Sequence, residues 1–104
     1  MELKMKMEGE QPYVIIRGDR SGVFAGYLVK WKKQHVKLRR SRRLWYWKGA
    51  ASLSQLAIDG VKYPEECKFP DELPDHDILD VVEVIPCSER SYESILSVKP
   101  WRAE

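Results

Sequence analysis

The chain has 104 residues, enough for one domain and too few for two. Hydrophobic residues make up 43% and charged residues 33%, a balance that excludes disorder, and no stretch is apolar for long enough to cross a bilayer. Net charge is only +2, but Arg17–Lys48 holds eleven basic residues and one acid, whereas Asp59–Glu83 holds nine acids and two lysines.

Residues 1–10 are polar and are expected to form a flexible segment ahead of a single globular domain over 11–104. Tyr13–Arg17 reads as a strand, ended by the turn signal Gly18-Asp19-Arg20-Ser21-Gly22. Val23–Trp31 reads as a second strand. Phe24 and Tyr27 lie three apart there, so Gly26 is expected to mark a bulge or bend. In His35–Arg39 the alternation puts Val36 and Leu38 on the core side. Together these runs predict a three-strand antiparallel meander over 13–40.

Ser41–Gly49 is open between a strand and an irregular turn. Ser52-Leu53-Ser54-Gln55 has the capping-box spacing, so a two-turn helix starts there, with Gly60 suited to a left-handed end. Residues 62–77 carry Pro64, Pro70 and Pro74 among many acids and read as a loop without regular pattern. Ile78–Ile85 reads as a further strand, and Ser88 can cap a helix over 89–98 that Pro100 stops. The fold class expected is α+β: a small curved antiparallel sheet or partial barrel of four to five strands with two short helices. The expected core includes Phe24, Tyr27, Leu44, Leu56, Val82, Ile95 and Leu96.

The strongest chemical feature is Arg39-Arg40-Ser41-Arg42-Arg43-Leu44-Trp45-Tyr46-Trp47-Lys48. Guanidinium groups hold phosphates bidentately and indole rings stack on bases, so Arg42, Arg43 and Lys48 are candidate phosphate ligands and Trp45 or Trp47 a stacking ring. Ser52, at the start of a helix after Gly49-Ala50-Ala51, joins this candidate site through the helix N-terminus. The structural alternative buries the tryptophans and leaves the arginines as a rim paired with the acidic half. Consecutive Trp45-Tyr46-Trp47 cannot all face one way on a strand, so at least one ring is expected apart.

Lys30-Trp31-Lys32-Lys33 reads as an exposed hairpin tip. With Lys37, Arg39 and Arg40 it forms a candidate surface for a protein partner or nucleic acid, or simply a solubilising hairpin. His35, Cys67, His76 and Cys87 have no zinc spacing, and the two cysteines are expected as free thiols. No P-loop, nucleophile elbow or triad context is present, so no catalytic residue, metal or cofactor is expected.

Gly22-Val23-Phe24-Ala25-Gly26-Tyr27-Leu28, Arg42-Arg43-Leu44-Trp45-Tyr46-Trp47 and Gly49-Ala50-Ala51-Ser52-Leu53-Ser54-Gln55-Leu56-Ala57 together resemble a family of small tailed-phage and prophage proteins of unknown function. Cys67-Lys68-Phe69-Pro70, Ile85-Pro86-Cys87 and Ser97-Val98-Lys99-Pro100-Trp101 fit the same pattern. The resemblance implies a phage accessory protein working in the cytoplasm of a bacterial host, and it supplies no catalytic residues. The expected function is capture of a small anionic, nucleotide-type ligand, which would blunt host defence if that ligand were a signal. A site between protomers of a homo-oligomer would give so short a chain a deeper pocket. The alternatives are a nucleic-acid-binding accessory factor and an inhibitor docking on an acidic host protein. No membrane partner is expected.

Overall fold

The computed structural model describes residues 7–8 and 11–103. The strands are β1 (Met7–Glu8), β2 (Gln11–Gly18), β3 (Val23–Lys32), β4 (His35–Arg43), β5 (Leu73–Ile78) and β6 (Val81–Pro86). The helices are α1 (Leu53–Asp59) and α2 (Glu89–Ser97), and a 3-10 turn covers Pro64–Glu66. Apart from β1, the rest of the expected flexible segment lies outside the described residues.

The main sheet is antiparallel with the order β6–β2–β3–β4–β5, and β1 pairs with the start of β2. The edge strands β5 and β6 are joined by two residues, Leu79 and Asp80. So short a link between opposite edges requires a strongly curled sheet, which makes an α+β partial barrel. Asp80 secures that end. Its carboxylate accepts from the Arg20 N–H at 2.7 Å, the Ser21 N–H at 2.9 Å and the Ser21 hydroxyl at 2.5 Å. The Val81 N–H donates to the Gln34 carbonyl at 3.0 Å, tying the same turn to the β3–β4 hairpin.

Two apolar clusters follow. The inner one contains Val14, Ile16, Phe24, Val36, Leu38, Ile78 and Val81, all from the barrel strands or their ends. The outer one packs Tyr13, Ile15, Ala25 and Tyr27 against Leu56 and Ala57 of α1 and Ile95 of α2. β2 is therefore buried on both faces from Tyr13 to Ile16, which explains a continuous apolar run where one-sided strands alternate.

The β3–β4 ladder slips at Gly26: Ala25 faces Arg42 and Tyr27 faces Arg39, so Arg40 and Ser41 share one partner. Arg40 takes a left-handed φ of 54° at this bulge. A Cβ on Gly26 would lie 3.1 Å from the Arg39 carbonyl and 3.2 Å from Leu38 Cβ, so little room for a side chain is left opposite the bulge. The spacing of Phe24 and Tyr27 has a different cause from the one expected: Phe24 packs in the inner cluster and Tyr27 in the outer one, so the period of two holds along β3.

Both helices start as expected. Ser52 Oγ accepts from the Gln55 N–H at 3.1 Å, and Ser88 Oγ accepts from the Ser91 N–H at 3.0 Å. Gly60 departs from the left-handed end expected: its φ is 77° but its ψ is −156°, a region open essentially to glycine alone.

Three other expectations are corrected. Residues 73–78 are a strand, because pairing with β4 outweighs the poor strand propensity of Pro74, Asp75 and Asp77. The Leu79–Asp80 turn breaks the expected 78–85 strand and shifts its phase, so Val81 is buried and Val82 exposed. Leu96 is exposed, and Val98 fills the core position beyond the helix end.

Candidate ligand site at the barrel mouth

The basic block divides at Arg42. Its residue is only 4% exposed and its guanidinium lies among carbonyls. Nη1 donates to Ile95 at 2.8 Å, Nε to Pro70 at 3.3 Å, and Nη2 to Phe69 at 3.3 Å and to Val98. Ile95 and Val98 lie at the end of α2, where backbone carbonyls run short of helical partners, although that of Ile95 also accepts from the Val98 N–H at 3.3 Å. Arg42 is a helix-end anchor and is withdrawn as a phosphate ligand. The clue was in the strand period: Arg42 stands two residues before Leu44, an expected core residue, and so faces the same way.

Arg43 faces the other side. It donates to the Ser21 carbonyl at 2.7 Å, and its guanidinium carbon lies 4.4 Å from the centre of the Phe24 ring. His76 packs edge-on against the same ring at 4.9 Å, and its Nδ1 lies 2.9 Å from Ser41 Oγ. Burial and the nearby Arg43 charge hold the His76 pKa below the ordinary imidazole value, favouring the neutral ring. Phe24 is thus the end of the inner core, roofed by Arg43 and His76.

These two residues line a cavity of about 460 Å³ together with Leu73, Asp71, Trp101 and Arg102. Arg102 Nε lies 3.2 Å from the Asp71 carboxylate in an exposed pair. The cavity therefore combines two guanidiniums, an imidazole and an indole that is 48% exposed. Its size falls within the range of small-molecule sites, and a barrel mouth is a usual place for one. The Ser41–His76 pair does not read as a nucleophile with its base, since Ser41 is 1% exposed. Trp101 stands in the Ser97–Trp101 pattern without a site role and Arg102 in no motif, and the folding of the chain against Phe69 brings them to the cavity: the Trp101 N–H donates to the Phe69 carbonyl at 2.9 Å.

The other expected ligand residues disperse. Trp45 is 64% exposed, Tyr46 is also exposed, and Trp47 packs half-buried against the outer cluster, so one ring does lie apart. Lys48 pairs with Glu66 at 3.1 Å. That carboxylate holds the Lys48 pKa above its ordinary value. Ser52 Oγ is engaged as the cap of α1, which has seven residues.

The hairpin residues Lys30, Trp31, Lys32 and Lys33 are exposed and do not line this cavity, and the Trp31 indole N–H donates to the Lys33 carbonyl at 3.1 Å. Lys37 and Arg39 instead stand opposite Asp77 and Asp75 in the β4–β5 ladder, and Arg40 Nε donates to Glu72 at 2.9 Å. The structure does not join these seven residues into one surface. Much of the charge asymmetry is met within the fold, basic β4 against the acidic β5 segment.

Among the described residues, no three His, Cys, Asp or Glu side chains cluster to hold a metal. Cys67 and Cys87 are free, buried thiols, and burial pushes Cys87 up to about 12. No helix among the described residues is long and apolar enough to cross a membrane.

Fold and cavity together define a small α+β partial-barrel protein with a cationic, aromatic mouth. Residues 11–95 match the family described as a domain of unknown function, DUF6948, and the chain belongs to that family. Trp101 and Arg102 lie beyond the matched residues. No curated protein and no solved structure matches the chain.

Proposed function

We propose that this protein is a non-catalytic binding protein for a small nucleotide-type anion, held at the barrel mouth. The observation that carries this reading is the convergence of Arg43, Arg102 and Trp101 on one cavity of about 460 Å³. Phosphate oxygens would bind the two guanidiniums, with Arg102 exchanging its exposed Asp71 partner for phosphate, an exchange that costs little because exposed pairs contribute about 0–1 kcal/mol. The base would stack on the Trp101 indole. Neutral His76 would offer one ring nitrogen for a hydrogen bond beside Arg43.

Carried by a phage, such a protein would act in the bacterial cytoplasm by withholding a signalling nucleotide from its host receptor. The test is a thermal-shift screen with nucleoside phosphates, cyclic di- and trinucleotides and ADP-ribose derivatives. A ligand at a hundred times its Kd adds about 2.7 kcal/mol of stability, a readily measured shift. No stabilisation by any of them at millimolar concentration would overturn the reading.

A further inference from the structure

Beyond the mouth, three exposed segments lie side by side. Tyr46 bridges Lys68 in antiparallel register, and Phe69 bridges Pro100 in parallel register, so the 46–48, 68–69 and 100–101 segments adjoin. The two bridges align a set of rings and amines. Lys68 Nζ is 5.4 Å from the centre of the Trp101 ring and 5.9 Å from that of Tyr46. Further along, Lys48 Nζ is 5.9 Å and Lys62 Nζ 5.7 Å from the centre of the Tyr63 ring. The Tyr63 N–H donates to the Lys48 carbonyl at 3.4 Å, which holds the two strips together.

From the mouth outward the order is Trp101, Lys68, Tyr46, Lys48, Tyr63. Ring and ammonium alternate, as base and phosphate alternate along an unpaired nucleic-acid strand. Three rings this exposed at one surface contribute little to the core, and the flexible lysines that lie over them leave room for a base to stack while their amines meet phosphate. The acids in the vicinity do not neutralise the strip: Glu66 pairs with Lys48 and Asp71 with Arg102, both solvent-exposed pairs that phosphate can replace.

We infer that the ligand of this surface is a single-stranded oligonucleotide, with one nucleotide seated in the mouth and the next ones running over Tyr46 and Tyr63. The inference rests on the mouth reading above and extends it from one nucleotide to several. A duplex is disfavoured, because its bases are not available to the rings.

The experiment is equilibrium binding of thymidine monophosphate, thymidylate tri- and hexanucleotides and a 12-base-pair duplex to the full chain. The hexanucleotide should bind at least about tenfold more tightly than the mononucleotide, since each stacked base adds affinity. Its log affinity should fall with log salt at a slope of about −2, as expected for three phosphates neutralised on a single strand, one at the mouth guanidiniums and one each at Lys68 and Lys48. Lys68→Gln should lower that slope by about 0.7, and Tyr46→Ala should cut hexanucleotide affinity about tenfold. Both residues are surface-exposed, so circular dichroism should show both variants folded. If the mononucleotide binds and the hexanucleotide binds no better, the strand inference fails while the mouth reading stands. If the hexanucleotide binds and loses affinity in Lys68→Gln and Tyr46→Ala but not in Arg43→Gln, the mouth reading fails while the strip stands. Preference for the duplex, or no binding of any oligonucleotide, overturns the inference.

Discussion

The guanidinium of Arg42 donates to the carbonyl of Ile95 at 2.8 Å, joining β4 to the end of α2 across 53 residues of sequence. Beside it Arg43, the next residue, lines the cavity at which we propose that a ligand binds. Two adjacent arginines thus divide the labour between fold and site. Arg42→Met should destabilise the protein by about 2–4 kcal/mol, because it removes a donor from four carbonyls, of which those of Phe69 and Ile95 keep the Trp101 and Val98 N–H groups. Arg43→Gln should cost less than about 1 kcal/mol of stability while weakening ligand binding. Urea denaturation of the two variants checks the contrast.

The Asp80 carboxylate links the β5–β6 turn to the β2–β3 turn. Its hydrogen bonds from Ser21 and Arg20 hold its pKa below the ordinary carboxylate range. A depressed carboxylate contributes stability that is present above its unfolded value and lost as pH falls through its folded value. The urea midpoint of the wild type should therefore drop on acidification below about pH 4. Asp80→Asn should be less stable at neutral pH and show a shallower acid loss over the same interval.

His76 works in the same direction at a higher pH. Its depressed pKa means the unfolded chain binds the proton more readily than the folded one. Stability is full above the unfolded imidazole value of about 6.5 and declines as pH falls below it. A histidine NMR titration should find the His76 midpoint below that value. His76→Gln should flatten the dependence of stability on pH between about 5 and 7.

Gly60 ends α1 at a positive φ where a Cβ would come within 2.3 Å of Ser94 Cβ. Gly60→Ala should cost more than about 1 kcal/mol, from backbone strain together with displacement of α2. Ser94→Gly in the same chain should recover part of the loss by removing the steric partner, and thermal denaturation of the single and double variants measures it.

Local chemistry carried much of the fold. Val36 and Leu38 show their faces by alternation, and Ser52 and Ser88 show their helices by capping, whereas the spacing of Phe24 and Tyr27 reflects a strand buried on both faces and not a bend of β3. What escaped depends on partners distant in sequence. β5 forms because β4 offers it hydrogen bonds and basic neighbours, and no local preference of Pro74, Asp75 or Asp77 announces it. The candidate site was half readable for the same reason. Arg43 lies in a conspicuous motif, whereas His76 reaches it through the curl of the sheet, and Trp101 and Arg102 reach it through the return of the chain end along Phe69.

The four tryptophans give the most direct test, since each indole N–H reports on a different place: Trp31 at the hairpin, Trp45 exposed beyond the end of β4, Trp47 against the outer core and Trp101 at the mouth. A nitrogen–proton correlation spectrum recorded while a stabilising nucleotide is titrated reads all four at once. The mouth reading predicts that the Trp101 indole signal shifts to saturation and the Trp31 signal stays fixed, with the response lost in Arg43→Gln. Saturable shifts at Trp31 with a silent Trp101 would contradict it.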